Sequence, residues 1–260
     1  MNDPINEDLN KDYRQHYTRE YFQRWNYADR GMGRFSMYWF ARRYYASLVR
    51  RYAPKNESDP KLLEMGCGLG HLLGLLQDDF KCIGIDLIDY SIEQTLINAP
   101  KAEAYQMDVG EIGDRFEPNS LSVVVALHLV EHLPDPQETI RQVNRLLKPG
   151  GIFLFATPHP EYSFRRFKDR ENDAIGKDKT HINCHVPAVW KQWSEENGFE
   201  VIKQFGDGLW DVPYLPIIPK IVQFGMFGLP AFMQVATKTT LTPLTFGVNQ
   251  INITRKISGV

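Results

Sequence analysis

The sequence predicts an α/β fold on a mostly parallel sheet, and three observations carry that expectation. Residues 62–70 read Leu-Leu-Glu-Met-Gly-Cys-Gly-Leu-Gly, a short apolar run ending in an acid and then glycines at every second position. A run this short and apolar fits a buried strand, and glycines without β-carbons let backbone approach a ligand closely. Residues 82–86, Cys-Ile-Gly-Ile-Asp, make a second such strand, closed by an acid about twenty residues after the glycines, where nucleotide-binding sheets hold a ribose. Beyond it, further short apolar runs alternate with helical patterns, which implies strand–helix units with right-handed crossovers.

Residues 1–60 precede this core and are read as a helical cover. Tyr13, Tyr17, Tyr21 and Trp25 recur every four residues and would share one helix face. Gly31-Met32-Gly33 breaks that segment. A second helix is predicted from Ser36 to Tyr52, with Phe40, Tyr44 and Leu48 inward and Arg42, Arg43, Arg50 and Arg51 toward water. Both helices would cap the sheet and close over the ligand, with contact between the tyrosine stripe and substrate as the alternative. Asn56-Glu-Ser-Asp-Pro60 reads as a polar linker into the core at 61–260.

Strands are expected near 61–65, 81–86, 103–107, 121–127 and 151–156. The helix after the glycine turn should run from about His71 to Asp78 and point its amino end at the ligand. A helix at 187–197 leads through Asn197-Gly198 into a strand at 199–205, and a last strand is expected at 247–256. Between them, 208–246 is an apolar insertion in which Lys220 is the one charge from Val212 to Met233. Pro213, Pro216, Pro219 and Pro230 rule out a straight membrane-spanning helix there. A connection this long should have a function or a partner. A lid over an apolar substrate, a homodimer interface and a monotopic membrane contact all fit its composition.

Length and composition suit one soluble domain with additions. The chain has 260 residues, 43% hydrophobic and 24% charged, with net charge −2, and that balance gives no support for a nucleic-acid partner. Cys67, Cys82 and Cys184 are scattered and fit a reducing cytoplasm. The amino terminus is polar and acidic, without an apolar signal region. A cytoplasmic location is expected, with membrane association left open by 208–246.

Two further motifs add specificity. Residues 122–136 read Ser-Val-Val-Val-Ala-Leu-His-Leu-Val-Glu-His-Leu-Pro-Asp-Pro, and Leu147-Lys-Pro-Gly-Gly-Ile-Phe-Leu-Phe-Ala-Thr-Pro follows a helix. From Lys61 to Phe205 the chain resembles the class I S-adenosylmethionine-dependent methyltransferases, especially the small-molecule branch that includes ubiquinone-biosynthesis O-methyltransferases. The resemblance implies a Rossmann-like seven-stranded sheet, mostly parallel with the last strand antiparallel, and helices on both faces. It implies S-adenosyl-L-methionine as cofactor, its methionine portion held by Glu64 and by the backbone of Gly66, Gly68 and Gly70. Asp86, with Leu87 beside it, would take the ribose hydroxyls, Asp108 the adenine amine, and Met107 and Val109 the ring faces. Leu127 and His128 would end the fourth strand beside the sulfonium. Gly-x-Gly-x-Gly in place of Gly-x-Gly-x-x-Gly favours a nucleoside over a pyrophosphate. Ser122 stands where the family commonly has an aspartate, at the strand end away from the methyl group, so little loss is expected.

Methyl transfer is an in-line displacement, so the protein mainly supplies approach geometry and a deprotonated nucleophile. An imidazole is a natural base for a hydroxyl, and His128 or His181 is expected to serve. Glu131-His132 is read as holding the turn before Leu133-Pro134. No metal is assigned. His128, Glu131, His132 and His181 resemble a Glu-x-x-Glu-His metal motif of some relatives, but His128 replaces a hard oxygen ligand that Mg²⁺ prefers, and a nitrogen-rich set would suit a transition metal instead. In the substrate-side loop, 158–186, Arg165, Arg166 or Lys168 could recognise an acidic or phosphorylated substrate or simply face water. The expected activity is methylation of a small, partly apolar metabolite, on oxygen. The alternatives are a lipid-linked or saccharide acceptor at a membrane surface, and a non-catalytic cofactor-binding protein.

Overall fold

A computed structural model describes residues 35–55, 57–168 and 173–257. The stripe at Tyr13, Tyr17, Tyr21 and Trp25, the Gly31–Gly33 break and Asn56 lie outside the described residues. The second predicted helix is α1, Met37–Tyr52. Ser36 caps it, its hydroxyl accepting a hydrogen bond from the Trp39 N–H at 3.0 Å. Tyr44 and Leu48 are buried in the core, and Phe40 packs against it.

The core is a seven-stranded sheet of β1 (Lys61–Met65), β2 (Lys81–Asp86), β3 (Glu103–Gln106), β4 (Leu121–Leu127), β5 (Leu147–Pro158), β6 (Phe199–Gly206) and β7 (Asn249–Lys256). Its order is β3-β2-β1-β4-β5-β7-β6. The first five strands pair in parallel. β7 inserts antiparallel between β5 and β6. Every residue of β4 is buried, as expected of a central parallel strand covered on both faces. Alternate side chains feed two apolar layers. Leu62, Val123, Val125 and Leu154 pack under α1 and α2 (His71–Leu76). Leu63, Val124, Phe153 and Phe155 pack on the other face, against α5 (Pro136–Leu146) and Trp190 of α7 (Pro187–Glu196). The pleat's period of two thus produces a three-layer sandwich.

Three further α-helices precede β6 among the described residues: α3 (Asp89–Asn98), α4 (Ile112–Arg115) and α6 (Ala174–Lys177). β5 starts at Leu147, ahead of the expected 151, because the Leu-Lys-Pro-Gly-Gly turn joins the strand through a register shift against β4. α2 stops at Leu76, short of the expected Asp78. Ser122 sits at the start of β4, its hydroxyl accepting the Lys61 N–H at 3.2 Å, at the opposite end of the sheet from the glycine turn. The insertion between β6 and β7 folds into α8 (Lys220–Gln223), a π-helical turn at Phe224–Gly228 and α9 (Leu229–Thr237). No helix among the described residues is long and apolar enough to cross a membrane.

Candidate functional site

β1 has β2 on one side and β4 on the other, so the chain direction of the crossovers reverses between β1 and β4. Such a switch point opens a crevice beyond the carboxyl ends of the strands. A cavity of about 320 Å³ lies there. Its wall includes Gly66, Gly68, Asp86, Leu87, Met107, Asp108, Val109, Leu127, His128 and His181. These residues come from the ends of β1, β2, β3 and β4 and from the loop after β5.

The glycine turn is shaped by its backbone. Gly66, Gly68 and Gly70 have φ of 66°, 53° and 71°, the left-handed region that glycine tolerates. Gly66 and Gly68 reach the cavity. Gly70 does not line it; a β-carbon there would lie 2.7 Å from Thr95 Cα, so this glycine lets α2 pack against α3. Asp86 ties the turn down: the Gly68 N–H donates to its Oδ2 at 2.9 Å and the Ile88 N–H to its Oδ1 at 3.1 Å. Burial pushes its carboxyl up from the usual range, and those backbone donors oppose the rise. Asp108 accepts the Gly110 N–H at 2.8 Å.

Glu64 stands behind the wall, 2% exposed, and its Oε2 has no hydrogen-bond partner. Burial pushes its carboxyl up to about 8, with Arg42 pulling it down and Asp86 adding to the rise. Arg42 is therefore not the outward-facing residue expected from the helical pattern. Tyr38 and Arg42 turn into the cavity, whereas Arg43 and Arg50 are exposed.

His128 ends β4 in the left-handed region at φ 55°, its N–H donating to Ala156 O at 2.9 Å. A non-glycine residue there is uncommon, and the turn aims the ring away from the strand. Its Nδ1 lies 3.5 Å from Oε1 of the fully buried Glu131. Burial would raise the Glu131 carboxyl, but the His128 bond and the charges of His132 and His128 outweigh it and hold the carboxyl below its usual range. His132 Nδ1 is 3.0 Å from Thr180 O, and His181 Nδ1 is 3.1 Å from Ile175 O. Each carbonyl can take an Nδ1–H, which fixes the ring's orientation; His132 Nε2 lies 4.0 Å from Glu131 Oε1 and His181 Nε2 3.7 Å from Asp178 Oδ2. Ligand atoms of Glu131, His132 and His181 lie within 4.8 Å of one another.

A second cavity of about 350 Å³ adjoins the first. Pro158, Trp210, Asp211, Val248 and Asn249 line it, together with His128 and His181, which the two cavities share. Behind it, Asp207 accepts the Asn249 N–H at 2.9 Å and its side-chain amide at 2.6 Å. Burial pushes the Asp207 carboxyl up to about 6, against the Asn249 bonds and the charge of His128. Sequence reasoning missed Tyr38, Arg42, Trp210, Asp211, Asn249 and Asp207. The one signal for the last was an Asp-Gly pair one residue beyond the predicted strand at 199–205.

The basic loop is largely spent on its own architecture. Arg165 pairs with Asp173 at 2.9 Å and donates to Pro160 O at 2.6 Å. Lys168 is buried, 3.0 Å from Asp211 and 5.0 Å from the Tyr214 ring centroid. Arg166 lies over Phe167.

The methyltransferase-domain family matches residues 37–204. A ubiquinone biosynthesis O-methyltransferase of Alkalilimnicola ehrlichii is 34% identical over 102 residues, 37% of this chain and 41% of that protein. A probable S-adenosylmethionine-dependent methyltransferase of Mycolicibacterium smegmatis is 30% identical over 125 residues, 47% of this chain and 46% of that protein. The matched stretch thus spans less than half of these relatives. Among solved structures, a SAM-dependent methyltransferase from Archaeoglobus fulgidus superposes with a TM-score of 0.59 at 21% identity, covering 91% of this chain and 100% of that one, which is a likeness of fold.

Proposed function

The chain belongs to the methyltransferase-domain family, whose donor is S-adenosyl-L-methionine, and from that premise we propose that it methylates an oxygen of a small, partly apolar metabolite. The observation that carries this reading is the pair of cavities meeting at His128 and His181. One cavity has the features a sulfonium nucleoside needs, and the other can hold an acceptor, with imidazoles between them.

The residues fit the donor on physical grounds. Gly66 and Gly68 place left-handed backbone without side chains on the cavity wall, and Asp86 presents a carboxyl group at a cavity of ligand size. Glu64 keeps a buried oxygen without a partner, which suits a cationic ligand. When bound, the donor supplies an electrophilic methyl group. The protein's own part is positioning and proton removal. His128, braced at Nδ1 by Glu131, accepts the acceptor hydroxyl's proton at Nε2, which leaves the oxygen as nucleophile. Asp207 and Asn249 fix the floor of the acceptor side. His181 is the alternative base, its Nδ1 tied to Ile175 O.

The experiment is incubation with methyl-labelled donor and fractionated metabolite extracts, followed by product identification. Label on a metabolite oxygen supports the reading. Donor binding with no methyl consumption in any pool supports a non-catalytic binding protein instead. Label that appears only on lipid-linked or saccharide acceptors in the presence of membranes supports the membrane-surface alternative.

A second reading of the histidines rests on Glu131, whose two buried oxygens have no hydrogen-bond partner at ordinary length. With His132 and His181 it offers a carboxylate and two imidazoles to a transition metal beside the acceptor. Metal analysis of the purified protein and turnover after chelation decide it. Undiminished turnover in a metal-free protein removes this reading.

A further inference from the structure

The helical segment 220–237 leaves an apolar stripe facing outward. Its inward face carries Gln223 and Gln234, both 0% exposed, beside the buried Ala231 and Val235, while Ile221, Val222, Met226, Leu229 and Met233 are exposed, as is Ile217 just before it. Surface helices of soluble domains ordinarily bury the apolar stripe, and a contiguous exposed one marks an interaction surface.

The segment is anchored rather than loose. Gln223 Oε1 accepts the N–H groups of Tyr214 and Leu215 at 2.7 and 2.9 Å, and its amide donates to Leu215 O and Ile218 O at 2.7 and 2.6 Å. Gln234 donates to Gly206 O at 2.9 Å and accepts the Thr242 N–H at 2.7 Å. A lid would have to break these buried bonds on every opening, at a cost for each unpaired group. The stripe is a fixed surface.

Its charge selects the occupant. α1 packs beside α9: Phe40 meets Phe232 at 5.4 Å, Tyr44 donates to Thr239 O at 2.6 Å, and Arg51 donates to Lys238 O at 2.6 Å. Neither 35–55 nor 212–246 contains an acid, although the whole chain has net charge −2. Arg50 is matched by Asp79, but among the described residues none of Arg43, Arg51, Lys220 and Lys238 is ion-paired to a carboxylate. Two copies meeting through this face would bring like charges together. An apolar ridge with a cationic rim instead suits an anionic bilayer surface.

We propose that the 217–238 ridge and the outer side of α1 dock on the surface of a bilayer leaflet bearing anionic headgroups. In α1, Trp39 and Arg43 stack at 4.3 Å, while their chain neighbours Tyr38 and Arg42 line the donor cavity. Docking therefore brings the site to the membrane, where a partly apolar acceptor resides. The proposal rests on the methyltransferase reading only for that use of the surface.

The test is flotation of the full chain with vesicles of phosphatidylcholine alone or with phosphatidylglycerol as about a third of the lipid. Donor binding is measured on each variant. The expected result is flotation with the anionic vesicles only. It should weaken about tenfold or more in Ile221→Gln/Leu229→Gln/Met233→Gln and in Lys220→Glu/Lys238→Glu, with donor binding kept in both. Raising salt from about 0.1 M to about 0.5 M should weaken it too. No flotation of the unaltered chain overturns the proposal, and so does a doubling of mass with concentration that the same substitutions abolish without any vesicle binding. Flotation that ignores the substitutions also overturns it. If the apolar triple variant misfolds, the lysine pair and the salt dependence decide. A chain that floats but fails to bind donor contradicts the donor reading and leaves this one standing.

Discussion

At the scale of single residues, the site turns on two buried acids, Glu64 and Glu131, and on the exposed imidazole of His128. Glu64 has its carboxyl pushed up to about 8 from 4.5 by burial, so the folded chain holds a proton that the unfolded chain releases. Its contribution to stability is fully present below about pH 4.5 and is lost as pH rises through about 8. Glu64→Gln should flatten that window in denaturation curves taken across pH. The same variant should abolish proton release on donor binding near neutral pH, read by calorimetry in buffers of different ionisation heat; unchanged release would contradict the role given to Glu64. His128 sits at φ 55°, where asparagine is tolerated better than most residues. His128→Asn should therefore fold normally, bind donor as before, and lose about 10²- to 10⁴-fold in kcat. Much of this site was legible in the sequence, because acids and glycines at strand ends announce themselves. Arg42 was not, since adjacent arginines on a helix look alike until the cavity's side is known. Asp207 and Asn249 were not either, because the register of β6 on β7 brings them together across the whole insertion.

At the scale of elements, the strands were readable because each is a short apolar run, and the antiparallel β7 followed from the family resemblance. What misled was polarity in the insertion. Its composition showed apolar residues without showing that Gln223 and Gln234 take the interior. Which face turns inward leaves no trace in a period count, since both faces repeat at the same spacing. Gln223 closes 214–218 onto α8 with four hydrogen bonds. Gln223→Ala leaves those backbone groups unpaired and should cost roughly 2–4 kcal/mol locally. Hydrogen exchange should show lost protection at 212–224 with the sheet unchanged; equal protection would mean that the clamp is not what holds the segment.

At the scale of the whole molecule, the chain is a methyltransferase-family sheet with a second cavity, the proposed acceptor chamber, lined by loops that include the start of the apolar insertion. Donor binds the folded state, so at about a hundredfold its Kd it should stabilise the protein by about 2.7 kcal/mol, a rise in Tm that His128→Asn should share. The division between a binding protein and an enzyme rests on whether the two cavities exchange a methyl group across His128 and His181. The most direct measurement supplies methyl-labelled S-adenosylmethionine and a metabolite extract to the unaltered chain and to His128→Asn, and follows label by mass. The account predicts label on an oxygen of a small, partly apolar product with the unaltered chain and almost none with the variant, although both bind donor. Bound donor with no label in any product from the unaltered chain would contradict it.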